Sequence, residues 1–257
     1  MLPNTIKGKL AAGEVAFGTF ITLKDPAIVE MFGNAGYDFV IIDLEHASTT
    51  LAQVEALSRA AIATGVTPLV RVPRNDTNTV LRIVESGIAG IVAPHITTAA
   101  EAKAIVDAAK YRPVGDRGID PSSRSAAYGL TPMKTHMEET NANLLVMVFI
   151  EDVEAIANLD EICNVPGVDG GIVGPSDLSR SLGLSGQIDH PEVQAAIDLI
   201  SDKFLEHGLI SSRPAYNDSE VRSAIDKGAT MITSPVIDSL FISRGIKDHM
   251  TKVRGNL

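Results

Sequence analysis

Eight short apolar or β-branched runs recur along this chain, each separated from the next by a segment with helical spacing. This alternation constrains the fold more than any other feature. The runs are VAFGTFI (15–21), DFVIID (38–43), TPLVRV (67–72), AGIVAP (89–94), LLVMVFI (144–150), VDGGIVG (168–174), GLISS (208–212) and ATMITSP (229–235). Between the second and third, Leu51, Val54, Leu57 and Ala61 fall at helical intervals. The segments NTVLRIVESG, AAEAKAIVDAAKY, VEAIANLDEIC, PEVQAAIDLISDKFLEHG and DSEVRSAIDKG continue the series, and several close on glycine, a common helix stop. Strands that read as continuous apolar runs are buried on both faces, as in a parallel sheet covered by helices. Eight such units in 257 residues predict one (β/α)8 barrel spanning 1–257, with a doubly wound open sheet as the alternative.

Composition narrows function mainly by exclusion. A net charge of −10 argues against nucleic acid and anionic membrane as main partners. The single cysteine, Cys163, rules out an internal disulfide and makes a cysteine-based zinc site implausible. The N-terminal MLPNTIKGKLAAGE has no apolar core of leader length, and no run of about 18 apolar residues suggests a membrane span. A cytoplasmic protein is the expectation. Aromatic residues make up only 4% and tryptophan is absent, so the core is expected to be aliphatic.

In a barrel of this kind the reactive groups stand at the C-terminal ends of the strands. Asp43, Glu45 and His46 follow the second run, Arg71 lies in the third, and His95 follows the fourth. Glu151 ends the fifth, Asp177 follows the sixth, and Arg213 and Ser234 lie at the seventh and eighth. Glu151 and Asp177 come from adjacent strands, and two neighbouring carboxylates repel unless a cation lies between them. With oxygen donors only, Mg²⁺ or Mn²⁺ fits best; helix capping and pairing with arginine are the alternatives. Arg71 cannot shed its charge inside an apolar strand. It implies either a structural salt bridge or an anionic substrate or developing oxyanion. His46 is a candidate general base, whereas His95 reads as a residue of the rim. By strand parity Asp43 and Glu45 point one way and Leu44 and His46 the other, so one set is expected to line the pocket while the other holds the loop.

Absences also count. A Schiff-base aldolase needs a lysine in the mouth, and only Lys24 lies near a strand end. No glycine-rich phosphate loop follows the last two strands, and no dinucleotide or Walker-type motif appears. The long segment RPVGDRGIDPSSRSAAYGL (112–130) reads as a functional loop before a helix over 131–143.

Taken together, FVIIDLEHAS, PLVRVP, YRPVGDRG, FIEDVEAIANLDEI, VPGVDGGIVGPSDLSRSLG and HPEVQAAI resemble, in order, the metal-dependent pyruvate aldolases of the HpcH/HpaI family. The resemblance runs from about 15 to 245. It implies a barrel with a divalent metal on Glu151 and Asp177, Mg²⁺ or Mn²⁺ with Co²⁺ as a further option. It implies pyruvate on that metal, with the backbone around Gly174 and Ser176 holding its carboxylate. Arg71 would stabilise the enolate oxygen, and His46 would act as base, activated by an acid at the position of Glu85. The reaction implied joins or splits a 2-oxo acid and an aldehyde, with a 4-hydroxy-2-oxo acid on the other side. Related lyase or decarboxylase chemistry on an oxaloacetate-like acid, or binding without turnover, are the alternatives. Two positions depart from the family pattern: Phe149 stands where glutamine is common, facing the same pocket as Glu151, and Glu85 where aspartate is common. The family assembles as hexamers, trimers of dimers, with an exchanged C-terminal helix. PVIDSLFISRGIKDHM is amphipathic enough for that role or for ordinary core packing.

Overall fold

The computed structural model describes residues 4–74 and 76–255; Met1 to Pro3, part of the polar N-terminal stretch, lie outside them. Eight parallel strands close into a barrel in chain order. They are β1 (Ala16–Ile21), β2 (Phe39–Asp43), β3 (Thr67–Arg71), β4 (Gly90–Ala93), β5 (Leu145–Ile150), β6 (Gly170–Val173), β7 (Ile210–Pro214) and β8 (Met231–Ser234). The helices are α1 (Thr5–Ala11), α2 (Pro26–Asn34), α3 (Leu51–Ala63), α4 (Thr77–Glu85), α5 (Ala99–Ala109), α6 (Met133–Asn143), α7 (Val153–Ile156) and α8 (Leu159–Cys163). They continue with α9 (Pro175–Ser181), α10 (Pro191–Glu206), α11 (Asp218–Asp226) and α12 (Asp238–Arg254). The closed barrel, not the open sheet, is the fold.

The two-residue period of a strand explains why every run is apolar on both sides. On β5, Leu145, Met147 and Phe149 point inward with Phe39, Ile41, Leu69, Val92, Ile172 and Met231. Val146, Val148 and Ile150 point outward against the helices. Capping chemistry sets several helix starts. Thr50 and Gln53 form a reciprocal capping box on α3, and Thr98 and Glu101 do so on α5.

The barrel is stoppered at the N-terminal ends of its strands. Ile6 of α1 is fully buried in the inner cluster. Asn4 caps α1 and donates from its side chain to the Ala89 and Asn143 carbonyls. The opposite end is left as the mouth.

Three local features refine the sequence reading. The single helix suggested by VEAIANLDEIC is split into α7 and α8. The 112–130 segment contains a 3₁₀ turn, Arg124–Gly129, with Ala127 and Tyr128 at positive φ. α12 meets the barrel at its first turn, where fully buried Asp238 accepts from the Thr22 and Leu23 amides at 2.8–3.1 Å. From Leu240 to Gly255 every residue is exposed, though the Phe241 ring lies edge-to-face on buried Phe32, with centres 5.9 Å apart. Among the described residues, no helix is long and apolar enough to cross a membrane.

Candidate active site

The mouth is built where β2 to β6 end. Asp43 and Arg71 are register partners, the last residues of β2 and β3. Arg71 donates to both carboxylate oxygens of Asp43, from Nε at 3.0 Å and Nη2 at 2.6 Å. The guanidinium lies 4.6 Å from the Phe20 ring centre and 5.7 Å from that of Phe149, a cation between two aromatic faces. Asp43 also accepts from the Glu45 amide at 2.9 Å and the His46 amide at 3.3 Å. The salt bridge expected as one alternative for Arg71 is therefore present, and Asp43 holds the loop.

Glu45 is turned into the mouth. Its Oε2 lies 3.2 Å from Arg71 Nη1, outside hydrogen-bonding geometry, and is buried without a hydrogen-bond partner. Its Oε1 lies 3.6 Å from His95 Nε2. His95 is therefore no rim residue. Its backbone is left-handed, at φ 53°, a conformation that clusters at functional sites. Its amide donates to Glu151 Oε1 at 3.1 Å, and its Nδ1 lies 2.7 Å from Asp152 Oδ2. One donor atom from each of Glu45, His95 and Glu151 lies within 4.8 Å of the others.

Glu151, immediately after β5, is 2% exposed. Burial pushes its carboxyl up from 4.5 to about 7, against the pull of His95, with Asp177 and Glu45 adding repulsion. Gly174, immediately after β6, makes room for it: an added Cβ would lie 2.7 Å from Glu151 Oε2 and would also strike the Phe149 ring. Phe149 is buried edge-to-face on Phe20, with ring centres 6.1 Å apart.

Asp177, in the first turn of α9, accepts from Arg180 Nε at 3.0 Å. Arg180 Nη2 also stands 3.6 Å from Asp152 Oδ1. Ser176 is exposed in the same turn. His46 sits on the outer rim, 59% exposed, with Nε2 3.8 Å from Glu45 Oε2.

Glu85 is not with His46 in this chain. It ends α4 and lines an outer groove with Glu55, Asp120, Arg124 and Tyr128, while the residues after it, Gly87 to Ala89, return to the stoppered end beside Thr5 and Pro68. Burial raises its pKa there, with Arg117 opposing.

The sequence profile of the HpcH/HpaI aldolase/citrate lyase family matches residues 16–240. The chain belongs to that family. It is 35% identical over 236 residues to 5-keto-4-deoxy-D-glucarate aldolase of Escherichia coli O139:H28 (strain E24377A / ETEC), covering 90% of each. The HpcH/HpaI aldolase from Desulfitobacterium hafniense DCB-2 superposes with a TM-score of 0.89 at 31% identity, covering 96% of both chains. The citrate synthase SbnG superposes with a TM-score of 0.87 at 27% identity, covering 98% of both chains. The chain is accordingly a carbon–carbon lyase of the HpcH/HpaI type.

Enzymes of this family act with a divalent metal, and the residues at this mouth fit one. The Glu45–His95–Glu151 cluster presents oxygen and nitrogen donors at close range, and a buried oxygen of Glu45 lacks a partner. Glu45, His95 and Asp152 are the mouth residues that strand-end reading alone does not bring together. The signal for them is positional. Each stands within two residues of a strand's last residue, where a barrel places its chemistry.

Proposed function

We propose that this mouth catalyses the reversible aldol reaction between pyruvate, or a closely related 2-oxo acid, and an aldehyde, with a 4-hydroxy-2-oxo acid as the joined product. The observation that carries it is the strand-end constellation of Arg71, Glu151 and the Gly174 turn, in a chain 35% identical to an aldolase across 90% of its length. A divalent ion, Mg²⁺ or Mn²⁺ with Co²⁺ as a further option, would be held at Glu151 with Asp177 nearby and would supply stabilisation for charge developing on the keto oxygen.

The chain's own residues do the rest. Arg71 is pinned by Asp43 and by two rings, so its positive charge is in place before substrate arrives and needs no reorganisation as charge develops. His46, exposed at the rim, removes a proton from the methyl carbon of pyruvate and returns it in cleavage. Gly174 and Ser176 bound the place where the substrate carboxylate rests. Phe149 gives that place an apolar wall in which no side-chain donor reaches the substrate.

Glu85 lies in an outer groove of its own barrel, so its role as the acid that activates His46 requires a second chain. α12 leaves Leu240, Phe241, Ile242, Ile246, Met250 and Val253 exposed, which supports a homo-oligomer, a hexamer in our reading. Light scattering at micromolar concentration tests the assembly.

A second reading has its own support: the similarity to a citrate synthase, together with Phe149, favours carbon–carbon chemistry on an oxaloacetate-like acid. A panel of aldehydes offered with pyruvate, and with oxaloacetate, decides between them by product mass. Aldol adducts of pyruvate support the first reading. Products from oxaloacetate alone replace it with the second.

A further inference from the structure

Arg213 stands at a strand end yet takes no part in the mouth. Ile210 packs into the inner cluster, and Ser212 shares a hydrogen bond of 2.7 Å with Thr233 inside the barrel. By the same alternation Arg213 points outward from β7, where it is 5% exposed. Its Nη2 donates to Asp198 of α10, and its Nη1 is buried without a hydrogen-bond partner. Lys227, the C-cap of α11, donates to both oxygens of the same carboxylate at 2.8 Å. Two cations thus share one anion. Lys227 and Asp198 are more than a third exposed and water screens them, whereas Arg213 keeps its charge in a buried place. A buried donor on a charged group is costly when left unpaired.

Beside this guanidinium lies a cavity of about 160 Å³, lined by residues of α9, α10, α11 and the end of β7. A water molecule takes up about 30 Å³ in the liquid, so the space suits a small organic molecule. Ile197, Pro214 and Ala224 give it apolar surface, and Gln194 and Ser223 give it hydrogen-bonding groups. Two carboxylates also border it, both on exposed residues. Glu220 already serves the start of α11, accepting from the Tyr216 amide at 2.7 Å, and Asp189 stands in the loop before α10. One negative charge on a guest is met by Arg213 and Lys227; a second would meet these two acids.

We propose that this cavity, outside the barrel wall, binds a small monocarboxylic acid, with its carboxylate on Arg213 and its carbon chain against Ile197, Pro214 and Ala224. A turn of the guanidinium presents Nη1 to the guest without giving up Asp198. Pro175, which also lines the cavity, sits between Gly174 and Ser176, so the guest rests against the turn at the mouth from its outer side.

The test uses the full chain freed of metal with EDTA, so that no metal at the mouth holds an acid, and titrates it with sodium lactate by saturation-transfer NMR. Lactamide supplies the same skeleton without charge, and sulfate supplies a dianion. Lactate should bind saturably and more tightly than either. Arg213→Lys keeps a cation for Asp198 but loses the second nitrogen, and should weaken lactate at least about tenfold. Ser223→Phe, which fills the cavity from an exposed position on α11 and leaves Arg213 in place, should abolish binding with an unchanged far-ultraviolet spectrum. It locates the site even if Arg213→Lys fails to fold. Arg71→Lys, a change at the mouth, should leave lactate binding as it is. Binding that survives Ser223→Phe and is lost in Arg71→Lys would place the acid in the mouth and overturn the inference. Lactamide or sulfate binding as tightly as lactate, or no saturable lactate binding, would overturn it as well.

Discussion

Glu151 makes the site's electrostatics measurable without any substrate. Its carboxyl titrates at about 7 in the folded chain instead of 4.5. Below pH 4.5 both folded and unfolded chains hold the proton, and the residue contributes no difference between them. Between 4.5 and 7 the unfolded chain ionises first, so stability falls as pH rises. Above 7 both are ionised and the full cost, about 3 kcal/mol, is present. Glu151→Gln removes the titration and keeps an acceptor for the His95 amide. In EDTA-treated protein the variant should therefore gain on the wild type as pH rises. Between pH 5.5 and 8.5 the gap should widen by about 2 kcal/mol, or about 4–8 °C in Tm for a chain of this size. Thermal melts followed by circular dichroism across that range read it directly. Adding Mn²⁺ at pH 8.5 should then close most of that gap, stabilising the wild type by about 2.7 kcal/mol at one hundred times Kd and leaving the variant unmoved. A gap between the two proteins that stays constant with pH would refute the placement of Glu151 as a buried, uncompensated carboxylate.

Other residues give sharper contrasts. Asp43→Asn removes the bidentate partner of buried Arg71, leaving it Glu45 at 3.2 Å, and should cost about 1.5–3 kcal/mol in urea unfolding, whereas Arg180→Ala, an exposed pair, should cost less than about 1 kcal/mol. Gly174→Ala drives a methyl against Glu151 and Phe149 and should lower kcat/KM at least about tenfold, through about 1–3 kcal/mol of local strain. His46→Ala should shift stability by no more than about 0.5 kcal/mol, because the side chain is exposed, yet slow proton removal from pyruvate about a hundredfold or more.

The fold was legible because parallel strands buried on both faces leave apolar runs that survive in the one-dimensional sequence. Phe149 and Glu151 share an inward face and Val148 and Ile150 an outward one, and that parity could be counted without coordinates. The site was legible only as far as each residue's position on its own strand. Glu151, Asp177, Arg71 and His46 could be named because each follows an apolar run. What a strand end faces across the mouth is set by the closure of the barrel. Glu45 meeting His95, or Asp152 backing that imidazole, depends on contacts 57 residues apart or close to it. Glu85 shows the converse. Its spacing in the sequence says nothing about the outer groove it occupies, and only the course of α4 separates it from His46. The stopper itself, α1, is seven residues long, too short to announce itself by periodicity.

Everything proposed for this mouth turns on removal of a proton from the methyl group of a 2-oxo acid with the help of a divalent ion. Incubating the EDTA-treated chain with pyruvate in deuterium oxide, with and without Mn²⁺, and following the methyl signal by proton NMR tests it most directly. Loss of the methyl signal is expected with Mn²⁺, none with EDTA, and a much slower loss in His46→Ala. A methyl signal that persists unchanged under Mg²⁺, Mn²⁺, Co²⁺ and Zn²⁺ alike would contradict it.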